Sequence, residues 1–480
     1  MRDHSSGKSK TLLELAKQYD SSNPGNNKLG DIIYMVFNKS MEREAQLKGF
    51  PSRTMIKTIH GLAYRYTAGP MKLQIDKFID SRSLTRVTSF QDKVAITETL
   101  EDFFISKFLN FEDFLFSLED NNIVAENKYL IAESKLIMQE MRDRKRECTH
   151  GFYLKLFHKI LNANDGLLKD SNGIDLDTSL VLFDEAQDAA PVALEIFKLL
   201  KAKQKVFVGD HLQNIYGFMK TVSIFDEIKD AKTFSLTQSF RVSTEIAKHI
   251  ESFCRAYIDD TIIFKGIDIP KNTEPTSRAY LARTNAELIE LAIEYYENNK
   301  NFNLTRDIMS GFDLPLAIIS AKKGEFLMPR YKFLEEDYKA FKRKTKRLSD
   351  YFNLTFTKYL SEEHSEDPEI KSACSLISRV TPKKIIKIKE ILKNRKLNQD
   401  AYVTLSSVHS SKGNEFCEVV LTEEVNNSID EIVQLKLEQG DKYKFSDLEK
   451  SQQAELYLYY VGCSRAKQVL NNAIHLIGGE

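Results

Sequence analysis

Ser179–Val192 reads SLVLFDEAQDAAPV. Its first half, Leu180, Val181, Leu182 and Phe183, is short, apolar and partly β-branched, the pattern of a strand buried inside a parallel sheet. Two adjacent carboxylates, Asp184 and Glu185, stand at its exit, and strand carboxyl ends are where open α/β sheets place ligands. Packing explains the apolar run; it does not explain the acids. One reading makes the pair a cap for the next helix, whose N-terminus favours acids. The other gives each acid a task, Asp184 beside a Mg²⁺ that bridges phosphates and Glu185 orienting or deprotonating an attacking water. Gln187, Asp188 and motifs elsewhere in the chain favour the second.

Upstream, Ser5-Ser6-Gly7-Lys8-Ser9 opens a helical pattern with Leu12, Leu13, Leu15 and Ala16. Gly-Lys-Ser alone is a common surface turn. Beside an Asp-Glu strand exit it reads as the closing half of a phosphate-binding loop, in which backbone N–H groups hold phosphate, Lys8 reaches its outer oxygens and the Ser9 hydroxyl ligates Mg²⁺. The opening glycine of that pattern is replaced by Arg2 and no strand precedes it, so a truncated start or a degenerate site is expected.

Ile32–Asn38 (IIYMVFN) reads as a second buried strand, followed by Lys39 and a helix, and Thr58 to Gly61 follow a further β-like run. His60 on its own reads as a packed core histidine. From about Met71 to Gly173 the pattern turns to amphipathic helices dense in Phe103, Phe104, Phe108, Phe111, Phe114 and Phe116, a spacing of core rather than ligand platform. The basic run Arg142–Arg146 there is a solvated face unless DNA crosses it.

Beyond the acidic pair the α/β pattern continues with a strand at Lys205–Gly209, then Asp210, Gln213, Tyr216 and Phe218. A strand-like run at Phe234–Leu236 leads to Ser239-Phe240-Arg241 at the head of a helix. Arg241 either caps or pairs with an acid, or enters a phosphate site to meet transition-state charge. A second α/β domain is expected from Ser243, with strands at Ala279–Arg283, Tyr402–Leu405 and Glu418–Leu421. A Lys-rich helical insertion at roughly 300–385 interrupts it, and its Lys342–Arg347 run is either a solvated face or a DNA-backbone patch.

Composition allows several cores: 480 residues suggest roughly three or four domains, and 42% are hydrophobic and 29% charged. Lys plus Arg equals Asp plus Glu, 69 each, so a nucleic-acid surface must be a local groove rather than a global field. Five scattered cysteines lack ligand spacing and read as reduced thiols. The polar N-terminus carries no signal pattern and no apolar run nears the ~18 residues of a membrane span. A cytoplasmic or nucleoid-associated protein with no membrane partner is expected.

Taken in order, DEAQD, GDHLQNIYGF (Gly209–Phe218), SFR, HSSKGNEF (His409–Phe416) and YVGCSRAK (Tyr460–Lys467) resemble the UvrD/Rep/PcrA-like branch of superfamily 1 DNA helicases, with a flavour of its F-box subgroup. The resemblance runs from Ser6 to Lys467. It implies an α/β fold of two RecA-like P-loop domains with parallel sheets: residues 1–70 and 174–242 with helical insertion 71–173, and 243–300 and 386–480 with helical insertion 301–385. It implies ATP and Mg²⁺, single-stranded DNA and duplex junctions as partners, 3′-to-5′ travel, and any nuclease, repair or replication factor as a separate chain.

Residue by residue, the resemblance makes Ser6, Gly7, Lys8, Ser9 and Lys10 the nucleotide loop and Ser9 and Asp184 the metal ligands. Glu185 becomes the catalytic base and Gln213 the γ-phosphate sensor. Arg241 and Arg465 become the arginines that approach the γ-phosphate, Glu415 the ribose-contacting acid, and Arg283 part of a second-domain motif. Phe37, Asn38, Lys39, Thr58, His60, Tyr216, Phe218 and His409 fall on the DNA track. Arg2, Asp3 and Ser5 depart from the family's loop, and the upstream adenine-reading glutamine motif is missing. The expected function is therefore an ATP-dependent translocase and helicase, with a non-hydrolysing DNA- or partner-binding remnant as the alternative.

Overall fold

The structure, a computed structural model, describes residues 7–23, 28–118, 122–169, 173, 175–215, 224–228, 230–269, 274–305, 308–325, 327–328, 331–347, 355–365, 367–394 and 401–473. Arg2, Asp3, Ser5, Ser6, Tyr216 and Phe218 lie outside these residues. The chain divides into two compact units, residues 1–236 and 237–480.

In the first unit the principal elements are α1 (Gly7–Ser22), β1 (Ile32–Val36), α2 (Lys39–Leu47), β2 (Thr54–Thr58), α3 (Ile59–Tyr66), α4 (Phe90–Ile105), α5 (Phe111–Phe116), α6 (Lys128–Arg142), α7 (His150–Ala163), β3 (Leu180–Phe183), α8 (Pro191–Leu199) and β4 (Gln204–Phe207). The four strands form one parallel sheet in the order β2-β1-β3-β4. Alternate side chains of a strand face opposite ways, and here both faces are covered. Ile32, Tyr34, Val36, Leu180 and Leu182 pack with Leu12 and Ala16 of α1, while Ile33, Met35, Val181 and Phe183 join α8 and the helical insertion. This double burial is why β1 and β3 read as unbroken apolar runs. Phe103, Phe104, Phe111 and Phe114 are core, as their spacing suggests, but Phe116, at the end of α5, is 94% exposed.

The second unit contains β5 (Gln238–Ser243), α9 (Thr244–Tyr257), β6 (Lys265–Ile267), β7 (Arg278–Ala282), α10 (Asn285–Glu297), β8 (Asn303–Leu304), α11 (Asp313–Lys323), α12 (Phe333–Arg347), α13 (Phe356–Glu363), α14 (Pro368–Arg379), α15 (Pro382–Asn394), β9 (Val403–Ser407), α16 (Val408–Ser411), β10 (Phe416–Leu421), α17 (Lys450–Cys463) and β11 (Ala466–Asn471). Five strands form a second parallel sheet, β8-β9-β7-β10-β11, and β5 pairs with β6 apart from it. Helices α11 to α15 share a core with α10. Both sheets are all-parallel and both units carry a helical insertion, the α/β architecture expected.

Two local readings change. Phe234–Leu236 is not a strand: it joins no sheet, and Phe234 and Leu236 are 74% and 55% exposed. Ser239-Phe240-Arg241 lies on β5, not at a helix head, and Ser243 rather than Arg241 caps the helix that follows, its side chain accepting from Ile246 N. Among the described residues no helix is long and apolar enough to cross a membrane.

Candidate active site

The carboxyl end of β3 in the first unit gathers groups far apart in sequence. Ser9 Oγ donates to Asp184 Oδ2 at 2.6 Å, and the Tyr34 hydroxyl, from β1, donates to the same oxygen at 2.7 Å. Lys8 Nζ donates to Glu185 Oε2 at 2.9 Å. Asp184 is fully buried and Lys8 is 9% exposed. Glu185 has φ 49°, ψ 43°, a left-handed conformation that residues other than glycine seldom adopt. It turns the chain out of the strand directly into a short 3₁₀ turn, Ala186–Asp188, so neither acid caps the next α-helix.

Gln187, buried completely, ties this exit to the next strand end. Its Nε2 donates to Glu185 Oε2 at 2.7 Å and its Oε1 accepts from Asp210 N at 3.0 Å. Asp210 Oδ2 in turn accepts from Gln213 Nε2 at 2.9 Å, so the expected base and the expected phosphate sensor belong to one hydrogen-bonded chain. A Cβ on Gly209 would lie 2.5 Å from Gln187 Oε1, so a side chain there would push that oxygen away from Asp210 N.

The electrostatics follow from burial and neighbours. Burial, and then the negative charge of Glu185, raise the Asp184 carboxyl above its usual range despite the donors Ser9 and Tyr34. Tyr34 is raised by its own burial and by Asp184, which keeps it a donor. Burial works to lower Lys8, but Glu185, Asp210 and Asp184 outweigh it and hold the ammonium charged.

In the second unit Glu415 accepts from Arg241 Nη1 at 3.0 Å and pairs with Lys467 Nζ at 3.0 Å. Burial works to raise Glu415, and the two cations overcome it and lower the carboxyl. Arg465 is 2% exposed; its Nε donates to Val461 O at 3.1 Å and its Nη2 to Ser464 Oγ at 2.8 Å. Phe240, beside Arg241, leaves 56% of its surface in solvent, a ring that a planar group could cover. Arg283 makes a two-pronged ion pair with Glu455 of α17.

The expected DNA residues divide. Asn38 and Thr58 are helix caps: Asn38 accepts from Met41 N and Thr58 from Gly61 N, each at 2.9 Å. Phe37 is 45% exposed. Lys39 Nζ pairs with Glu42 at 2.9 Å, and Lys57 holds the other oxygen of that acid at 2.8 Å. His60 is exposed on α3 and is no core histidine. His409 sits half-buried in the short helix α16 and Lys10 is exposed on α1.

Sequence reasoning gave no role to Tyr34, Gln187 or Lys467. Tyr34 carried a signal, the one polar tip inside an apolar strand.

Residues 6–232 match the UvrD/REP helicase N-terminal domain family. The chain is 25% identical over 522 aligned positions to F-box DNA helicase protein 1 of Schizosaccharomyces pombe, covering 98% of this chain and 54% of that protein. It is 27% identical over 266 positions to F-box DNA helicase 1 of Gallus gallus, covering 50% of this chain and 24% of that one. The chain thus spans about half the length of the first relative and about a quarter of the second. GKS, DEAQD and the glutamine-bearing strand end, built into one site on a parallel sheet, all fall within the stretch that matches the UvrD/REP helicase N-terminal domain, and the chain as a whole is similar to F-box DNA helicases.

Proposed function

We propose that this chain is an ATP-driven translocase on single-stranded DNA that unwinds duplexes in the 3′-to-5′ direction. The observation that carries the reading is the meeting of Lys8 and Ser9 with Glu185 and Asp184 at the end of β3. A buried cation, a hydroxyl and two acids at one strand exit suit a phosphate and its counter-ion better than they suit packing. Names of the relatives point the same way, each being a DNA helicase.

The donor set fits Mg²⁺, a hard cation that takes oxygen ligands and keeps waters and phosphate oxygens in its shell. Ser9 Oγ and Asp184 supply such oxygens, and among the described residues no group of three or more His, Cys, Asp or Glu forms a closed cage. When bound, the ion would neutralise charge on the phosphates. Lys8 would hold the outer phosphate oxygens. Glu185, held by Lys8 and Gln187, would orient the attacking water and take its proton, while Gln213 would report the terminal phosphate to that acid through Asp210 and Gln187. Arg241 and Arg465 would meet the charge that develops on the transferred group. Lys39 and Phe37 would hold the strand by backbone charge and base stacking.

The test is ATP hydrolysis with and without single-stranded DNA, for this chain and for Glu185→Gln, beside unwinding of 3′-tailed and 5′-tailed duplexes. Stimulated hydrolysis that Glu185→Gln lowers about 10²- to 10⁴-fold, with unwinding of the 3′-tailed substrate alone, is the expected result. DNA binding without hydrolysis would replace the motor with a non-hydrolysing binding protein.

A further inference from the structure

His60 and Tyr64 stand four residues apart on α3, hence on one helix face. Both meet the ring of Tyr153 on α7 edge to face, with centroids 5.9 Å apart at 85° for His60 and 6.2 Å at 81° for Tyr64. His150, the first residue of α7, lies 5.9 Å from His60 at 80° and 5.6 Å from Tyr153 at 73°. Its Nδ1 is 2.9 Å from the Tyr153 hydroxyl. Tyr153 is 3% exposed, Tyr64 is 46% exposed, and His60 and His150 are both exposed. A buried tyrosine thus forms a floor, and three rings with surface open to water rim it. Core packing accounts for the floor and not for the rim.

The surroundings are cationic and continuous with the end of the sheet. A Cβ placed on Gly61, next to His60, would lie 3.5 Å from both Lys39 Nζ and the Lys57 side chain. Glu42 pairs with both lysines, which leaves the group with one positive charge in excess, and Arg65 is exposed beside Tyr64. Val36 of β1 is the register partner of Thr58 of β2, so Phe37 and His60 follow neighbouring strand ends.

We propose that His60, Tyr64 and His150, set over Tyr153, form a base-stacking site for single-stranded nucleic acid, shared between the sheet domain and its helical insertion. The inference rests on the translocase reading and adds His150, Tyr64 and Tyr153 to it. Exposed rings beside lysines are what a strand needs when it is bound without regard to sequence, since every base offers a π-face and the backbone a negative charge. A base seated there touches α3 and α7 together, so the strand itself would brace the insertion against the sheet.

The test is fluorescence anisotropy of a labelled oligothymidylate with the whole chain at fixed salt. His150→Ala and Tyr64→Ala should each weaken binding about 5- to 100-fold, and His150→Phe, which keeps a ring, should restore most of it. An oligonucleotide carrying 5-iodouracil should photocrosslink to the unmodified chain at peptides holding residues 64 or 150, a readout independent of how the variants fold. Unchanged affinity in both alanine variants, or crosslinks near Phe37 with none at residues 64 and 150, would overturn this site and leave the translocase standing. Failure of the unmodified chain to bind the oligonucleotide would overturn the reading beneath it.

Discussion

Two carboxylates flank strands of the two parallel sheets, Asp184 at the carboxyl end of β3 and Glu415 at the amino end of β10, and both are largely withdrawn from water. Asp184 is raised and Glu415 lowered. Burial pushes both upward; their neighbours separate them, since Asp184 stands next to Glu185 whereas Glu415 stands between Arg241 and Lys467. One sheet end is therefore acid-rich, with Asp184, Glu185 and Asp210 around Lys8, and suits a cation. The other is base-rich and suits an anion. Two parallel α/β sheets thus carry clusters of opposite charge, one at a strand exit and one at strand entrances, and the sign is set by a few residues at strand boundaries rather than by the fold.

The strongest way to break this comparison is to discharge the basic end. Arg241→Ala should lower stimulated hydrolysis by about 10³-fold or more if its guanidinium meets transition-state charge, read as kcat at saturating ATP. A loss confined to KM would make it a binding group instead. Next, the same chemical change applied to each acid should have unequal effects on stability. Glu415→Gln strands two cations and should cost about 2–3 kcal/mol, whereas Asp184→Asn removes a buried charge beside Glu185 and should fall within about 1 kcal/mol of the parent. Denaturant midpoints measure both, and equal losses would end the distinction. The pH dependences should also diverge. A lowered carboxyl contributes stability above its usual range and loses it as pH falls, and a raised one does the reverse.

A further effect, read as a pH dependence rather than as a loss on charge removal, lies at Glu287 of α10, which burial and then the charge of Glu424 lift to about 7. Between 4.5, its ordinary value, and about 7 the folded unit binds the extra proton, so stability should fall as pH rises through that window. About 1–2 kcal/mol is at stake once partial exposure is allowed for. Glu287→Gln should flatten that slope in thermal melts; an unchanged slope would place the proton elsewhere.

What was legible followed the chemistry that leaves a mark in one dimension. Leu180–Phe183 could be read because a strand covered on both faces has no polar positions, and Asp184 and Glu185 because nothing in packing requires them. Lys8, Ser9, Arg241 and Glu415 were singled out through motifs resembling those of a helicase family, and the structure brings Lys8 and Ser9 to the acidic pair and Arg241 to Glu415. Residues that act through a partner left little trace. Gln187 bridges Glu185 to Asp210, and Lys467 holds Glu415, yet each is an ordinary polar residue until the fold brings its partner near. Taken alone His60 suggested core packing, since the sequence does not display the docking of the insertion whose His150 meets its ring; the motif around it set the expectation of a place on the DNA track. Phe234–Leu236 failed in the opposite sense, as two apolar residues flanking a serine that found no strand to join.

The helical insertion between β2 and β3 has a consequence in time. β1 pairs with β2 on one edge and with β3 on the other, and about 140 residues separate it from β3. At roughly 5–20 residues per second on the ribosome, β3 emerges some 7–30 seconds after β1. For that interval one edge of a strand whose five residues are all buried in the finished protein has no partner, and an apolar edge is one that another chain can extend. The length of the insertion thus bears on the yield of folded chains as much as on what the insertion does once they are made.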